Sequence, residues 1–389
     1  MNGSRFNKLQ ELFDNQKYFK MICGAGNEDL EEVKRLTMIY TLAGAKGLDI
    51  SATPAVVESC VDGIDRAFDI SDSLDINLKT RPYIMVSVGM PGDHHVRKSY
   101  IDPFKCVGCD LCVPVCPTDA IPKNFTKELD LFKDLGGSFE TEDQSKEIVI
   151  KDLCIGCGKC SNICPKDDII SYRHNARALR ELLPKCREAG AETFELHAAV
   201  GEHDVTMEEW KIINEINTDN FNSMCLDRLN LGNLNLEFRI REAQNISKER
   251  TLIQADGYPM SGGENDYNTT LQAVACADVI NKEFNMRINK KIEKDEPGKA
   301  KLTSKRFYRP FGHRLGVPIL LSGGTNAVSR KLSDMAGVRC NGVAIGTYAR
   351  DIVEDYVQHP DFYRNVNMVE KAYKIGKSLI KANEMETDK

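Results

Sequence analysis

The sequence predicts an α/β chain in which eight strand–helix units close into a barrel interrupted by a smaller inserted unit. Three observations predict it. Apolar strand-like runs alternate with amphipathic helical stretches eight times, the rhythm of a parallel sheet. Setting aside residues 98–172 and 285–316, which break that rhythm, leaves roughly 280 of the 389 residues, near the ~250 usual for a (β/α)8, TIM-like barrel. The first of those stretches has a cysteine pattern of its own. An open doubly wound sheet is the alternative arrangement of the same elements.

In order, residues 4–15 read as an amphipathic leader helix, and Tyr18–Ala25 as the first strand, ending in glycine. Asp29–Ala43 places Leu30, Val33, Leu36, Thr37 and Tyr40 at helical spacing. Lys46–Ala52 is the second strand, and Pro54–Phe68 a helix with proline in its first turn. Pro82–Val88 is nearly all apolar, as a parallel strand buried on both faces requires. After the cysteine-rich stretch come a helix at 174–188, a strand Thr193–Ala198 and a helix Met207–Ile216. The least apolar strand, Asn222–Leu226, follows, then a helix Leu236–Gln244, a strand Arg250–Asp256 and a helix Asn268–Glu283. The last units are Val317–Ser322 with a helix at 326–336, and Gly342–Ile345 with a helix from Tyr348 to Val357. The expected division is barrel over 1–97 and 173–380, the insertion over 98–172, and a flexible tail over 381–389.

The inserted stretch reads CVGCDLCVPVCP at 106–117 and CIGCGKCSNICP at 154–165. Two quartets of cysteine at spacings three, three and four, each followed by proline, form the run that binds [4Fe–4S] clusters in bacterial ferredoxins. Three thiolates close together wrap one face of a cubane, and the fourth serves the other cluster. The expected ligand sets are therefore Cys106, Cys109, Cys112 and Cys164 for one cluster, and Cys154, Cys157, Cys160 and Cys116 for the other. Gly108 and Gly156 fall where the loop turns under sulfur. Zinc ribbons use four ligands in two pairs, not eight in two identical quartets. Disulfides need an oxidising compartment, for which the sequence gives no other sign.

The chain is 41% hydrophobic and 28% charged, with a formal net charge of −6. That is an ordinary globular composition, and its mild acidity argues against nucleic acid as a partner. The N-terminus lacks the apolar core of a signal peptide, and no apolar run reaches membrane-spanning length. The expected location is cytoplasmic, or the plastid stroma if a transit peptide has been removed. Six further cysteines lie singly in apolar surroundings and read as small buried hydrophobes. Residues 285–316 carry ten Lys or Arg against Glu293, Asp295 and Glu296. They read as a basic surface insertion, with docking of a polyanion or partner as the alternative.

Because the cysteine stretch follows the third strand, it occupies a βα loop on the face where barrels carry their active sites. That mouth also receives Ser322, Gly323, Gly324 and Thr325 after the seventh strand, and Gly346 and Thr347 after the eighth. Barrels often bind phosphate there. These residues, with a second glycine-rich nest at Ser261, Gly262 and Gly263, are the candidate binding site for flavin mononucleotide or another phosphate-bearing ligand. A tight structural turn is the alternative for Gly323 and Gly324. Asp256, ending the sixth strand, is the candidate catalytic residue, with helix capping as the alternative. Cys23, Asp49, Ser51, Glu195 and His197 also fall near the mouth and read singly as packing or hydrogen-bonding residues. His94, His95, Arg97 and Lys98 precede the first quartet, where positive charge would raise a cluster's potential.

Three segments, 20–57, 253–280 and 320–353, resemble the light-dependent period protein A (LdpA) family. The resemblance implies an iron–sulfur protein, linked in cyanobacteria to relaying cellular redox state to the circadian clock. No residue here carries that clock role over. The reading is thus an electron-transfer or redox-sensing protein with a redox protein partner or electron carrier. A second reading is a flavin- or phospholigand-dependent oxidoreductase wired by its clusters. A third is a non-catalytic scaffold subunit.

Overall fold

The computed structural model describes the chain apart from residues 1–2, 28, 90–97, 117–118, 124, 126–147, 151–153, 155–158, 167, 174–178, 200–202, 259–265, 286–315 and 385–389. Eight parallel strands close into a barrel: β1 (Tyr18–Ile22), β2 (Gly47–Ser51), β3 (Tyr83–Gly89), β6 (Thr193–His197), β7 (Asn222–Asp227), β8 (Thr251–Asp256), β9 (Ile319–Ser322) and β10 (Gly342–Ile345). The order around it follows the chain, with β3 beside β6 and β10 returning to β1 through Tyr18↔Gly342 and Lys20↔Ala344. The remaining strands, β4 (Lys98–Ile101) and β5 (Ile170–Arg173), form a separate antiparallel pair in which Lys98 faces Arg173.

Local signals explain the helices. The helix Leu30–Ala43 starts where Asp29 accepts the backbone N–H groups of Glu31 and Glu32, and ends at Gly44 with φ 98°. Both are the terminators that orphaned helix-end groups need. Its buried face, including Val33, Leu36, Ile39 and Tyr40, packs between the sheet and the helix Pro54–Ser71. Alternation then divides each strand. Phe194 and Leu196 face outward into the helical shell, leaving Thr193, Glu195 and His197 directed inward.

The helix Gly3–Asp14 caps the N-terminal end of the barrel. Leu9 and Phe13 pack with Tyr18, Tyr83, Met85, Phe221, Leu252 and Leu320. Burying Phe13 fully contributes about 1.5–3 kcal/mol. The C-terminal helix Val366–Ala382 lies against Leu30–Ala43 and is absent from the sequence reading. It also shortens the expected tail. The helix runs through Lys381, and Asn383 is buried, donating to the carbonyls of Asn326 and Leu379. Two other boundaries differ. Tyr348–Val357 is two short helices, Thr347–Asp351 and Glu354–Val357, and Asp266–Val279 continues as a π-turn to Asn285. No helix among the described residues is long and apolar enough to cross a membrane.

Candidate functional site

The cysteine-rich segment has a small core of its own. Ile101, Val113, Ala120, Ile121, Phe125, Val149 and Ile169 pack with Cys106, Cys112, Cys154 and Cys160, and Cys116 and Cys164 lie at its edge. β4 and β5 bring its two ends together. Cys106, Cys109, Cys112 and Cys164 line one cavity with Ile101, Phe125 and Ile169. The loop turns at Gly108 with φ 66°, whereas Cys157 and Gly156 lie outside the described residues.

These residues fit iron–sulfur clusters by three observations. The described cysteines are free thiols, not disulfides. Backbone N–H groups already point at sulfur, from Ser99 to Cys154 Sγ (3.3 Å) and from Ala120 to Cys116 Sγ (3.2 Å). Burial above all, and then the sulfurs of Cys106, Cys160 and Cys109, push the Cys112 thiol up to about 12 despite a backbone hydrogen bond. A buried set of mutually repelling thiols needs a positively charged centre before it can ionise.

The barrel interior is the second constellation, and it is charged. The ammonium of Lys20, on β1, is fully buried between Asp49 Oδ2 of β2 and Glu195 Oε2 of β6, with Met85 Sδ at 3.3 Å. Asp49 also accepts from Ser87 Oγ at 2.5 Å. One cation between two buried carboxylates divides them. Burial and the Glu195 charge raise Asp49 to about 6 against the pull of Lys20. Burial acts on Glu195 as well, but Lys20 and His197 hold it well below the usual carboxylate range. Burial alone would lower Lys20; the two carboxylates outweigh it and raise it.

Glu195 Oε1 faces the other way. It accepts from Cys225 Sγ at 2.9 Å and stands 3.3 Å from His197 Nε2. Gln254 Nε2 approaches Cys225 Sγ at 3.2 Å. Burial, then Asp256 and Glu195, push the Cys225 thiol up, so it keeps its proton. Asp256 ends β8 on the same inward face. Its carboxylate oxygens make no hydrogen bond of normal geometry among the described residues, with only the Ser322 side chain placed to bond them. Burial is the largest cause that raises Asp256 to about 8, with Glu195 and Asp227 adding and His197 opposing.

The loops at the mouth are tied into the fold. Gly323 and Gly324 have φ of 64° and 65°, and a Cβ on Gly324 would stand 2.1 Å from Thr269 Cγ2. The turn is thus pressed against the helix Asp266–Val279, and Thr270 Oγ1 donates to Gly324 O at 2.8 Å. The Thr325 hydroxyl donates to Ala344 O, so it is engaged within the fold. Ser322 is buried, facing Asp256 across the β8–β9 ladder. The helices after these loops, Ser329–Met335 and Thr347–Asp351, have seven and five residues. Gly346 precedes the shorter one, and Thr347 Oγ1 accepts from Arg350 Nη2 at 3.4 Å. Arg350 Nε is buried without a partner among the described residues. Ser261, Gly262 and Gly263, and His94, His95 and Arg97, lie outside the described residues.

A family model described as a 4Fe-4S double cluster binding domain matches residues 105–167. The cysteine-rich segment is therefore a 4Fe–4S cluster-binding domain. Light dependent period A of Synechococcus elongatus is 39% identical over 106 residues. The chain is similar to Light dependent period A. That match spans 27% of this chain and 28% of the relative's own length. Among solved structures, thiamine phosphate pyrophosphorylase from Pyrococcus furiosus is 8% identical at a TM-score of 0.33, covering 93% of this chain and 98% of that one. The carboxyl transferase domain of Rhizobium etli pyruvate carboxylase, with 3-bromopyruvate, is 10% identical at 0.40, covering 100% of this chain and 52% of that one. The barrel assignment rests on the closed strand ladder itself.

Sequence reading named Asp49, Glu195, His197 and Asp256 but missed what joins them. Lys20 was legible as a lysine inside an apolar strand, YFKMI, where a buried charge demands a partner. Cys225 and Gln254 carry no signal in sequence until β6, β7 and β8 are set side by side.

Proposed function

We propose that the chain is an electron-transfer or redox-sensing protein carrying two [4Fe–4S] clusters. Cys106, Cys109, Cys112 and Cys164 hold one, and Cys154, Cys157, Cys160 and Cys116 the other. The observation that carries this reading is the cavity lined by the first four thiols, since Cys164 comes from the second quartet. The clusters supply one-electron chemistry when bound. The protein's own part is to bury the sulfurs, direct N–H groups at them and leave one edge open. At that edge Cys109 is exposed, beside exposed Phe104, Val107 and Leu111. An apolar rim around an exposed ligand suits brief docking of a redox protein partner. The segment 98–172 is taken as a folding unit, because its ends pair and it has its own core. Abundant free thiols suit a reducing, cytoplasmic setting.

The wired-oxidoreductase reading has its own support. A buried Lys20–Asp49–Glu195 network beside a buried Asp256 is the kind of perturbed cluster that active sites contain. Arg350, with Thr347 at the mouth, is a cation suited to a phosphate-bearing ligand such as flavin mononucleotide. The test is an anaerobic reductive titration followed by denaturation. Two electrons per chain with no released flavin support the carrier or sensor. Additional electrons with released flavin support the oxidoreductase. Failure to take up electrons refutes both.

A further inference from the structure

We propose that the barrel interior is a second metal site, binding one divalent ion of the zinc class through Glu195, His197 and Cys225, with Asp256 closing the set. The three named donor atoms lie within 4.8 Å of one another, and all three residues are buried. They come from neighbouring strands in register: Glu195 and His197 are two residues apart on β6, and Cys225 pairs with His197 across the ladder. Alternation directs all three inward. A tetrahedral ion with metal–sulfur distances near ~2.3 Å and metal–nitrogen or –oxygen near ~2.0–2.1 Å sets its ligand atoms roughly 3.5 Å apart. Cys225 Sγ and Glu195 Oε1 at 2.9 Å would open slightly, and no separation would close by more than about 1.3 Å, within reach of side-chain rotation.

Asp256 is the independent observation. It is 2% exposed, and neither carboxylate oxygen makes a hydrogen bond of normal geometry among the described residues, with only the Ser322 side chain placed to bond it. Buried polar groups of native proteins are almost always satisfied, so such a carboxylate implies something that is meant to meet it. Its place is right. Cys225 pairs with Gln254, and Asp256 lies two residues further along the same face of β8. Charge agrees as well. Lys20 faces Asp49 and Glu195, and Asp256 adds a third carboxylate, while Asp227 is turned to the loop amides of Asn230. With Cys225 ionised as well, a dication offsets most of that excess.

The donors select the ion. A thiolate, an imidazole and carboxylates form a borderline set suited to zinc and its neighbours, not to calcium or magnesium. Lys20 acts as the outer partner, holding Glu195 Oε2 so that Oε1 is presented to the ion. On binding, the Cys225 S–H bond breaks, its proton passes to solvent and a sulfur–metal bond forms.

Cobalt(II) is the probe, added to full-length protein with its iron–sulfur clusters loaded and other divalent ions dialysed away. The expected result is one Co²⁺ per chain, with a sulfur-to-cobalt charge-transfer absorption that zinc displaces. Cys225→Ser should abolish that absorption, and Asp256→Asn should weaken binding roughly tenfold or more, while cluster iron and Trp210 fluorescence stay unchanged. If Cys225→Ser does not fold, His197→Asn is read in its place and must lose the bound ion. Absence of the absorption, or its persistence in Cys225→Ser, overturns the proposal. Neither result depends on how many clusters the chain carries.

Discussion

Replacing Lys20 by methionine removes the one cation between two buried carboxylates while keeping the length of the side chain. Lys20 and Asp49 are 0% and 1% exposed at their side chains and Glu195 is 2% exposed, so water cannot substitute for the ammonium. Glu195 must then stay ionised with only the Cys225 thiol and His197 beside it, or take a proton at neutral pH. Breaking a buried pair costs roughly 3–5 kcal/mol. Protonating a glutamate of ordinary pKa ~4.3 at pH 7 costs about 4 kcal/mol, a consistent value. Asp49, already raised to about 6 in the folded chain, adds about 1 kcal/mol. The expected loss is about 5 kcal/mol at pH 7. Its pH dependence has a definite sign. A carboxyl held low in the folded state stabilises above its unfolded pKa, and that stabilisation is lost as pH falls through the folded value. In Lys20→Met the buried carboxyl is instead held high, so the folded variant keeps a proton that the unfolded chain releases above pH ~4.3, and its gap to the wild type should widen from pH 4 to pH 7 by roughly 1.4 kcal/mol per unit. Urea unfolding read at Trp210 reports it, because this single tryptophan is fully buried in the barrel's shell with its indole N–H on Ala243 O. Lys20→Met/Asp49→Asn/Glu195→Gln, which replaces the whole network by neutral groups, should recover most of the loss. A loss under about 1 kcal/mol for Lys20→Met, or one that does not change with pH, would refute the reasoning.

Ser99 Oγ lies 3.3 Å from Cys160 Sγ, and a hydrogen bond to sulfur favours the reduced, more negative cluster. Ser99→Ala should lower one of two reduction potentials by about 40 mV, the equivalent of about 1 kcal/mol, and leave the other unmoved in a redox titration. Gly324→Ala combines a left-handed backbone with a Cβ 2.1 Å from Thr269, and should cost about 2–4 kcal/mol in the same unfolding assay. Cys109→Ser and Cys164→Ser should remove the same cluster and give matching residual spectra, although the two residues belong to different quartets.

Much of the fold was legible because parallel strands buried on both faces leave continuous apolar runs. Even Asn222–Leu226, the least apolar of the expected strands, falls between two helical stretches and forms the strand Asn222–Asp227. The C-terminal helix Val366–Ala382 was not read, because it lies after the eighth unit, where the strand–helix rhythm has ended. The cysteine quartets were legible because their spacing is itself the geometry of the chemistry. The interior was not, for the opposite reason. Lys20, Asp49, Glu195 and Cys225 are spread over more than 200 residues and meet only when the sheet closes. The mouth loops show a different limit. Gly323 and Gly324 look alike in sequence whether they cradle an anion or press against Thr269, and it is the close packing that supplies the second reason for glycine.

The central claim is that two complete cubanes share the eight quartet cysteines across the motifs. Counting iron and acid-labile sulfide per chain in anaerobically purified protein, with and without Cys164→Ser, tests it most directly. About eight of each are expected in the wild type and about four in the variant, with the surviving cluster still reducible. Zinc in place of iron, or a Cys164→Ser protein that keeps the Cys106–Cys112 cluster and loses the other, would contradict it.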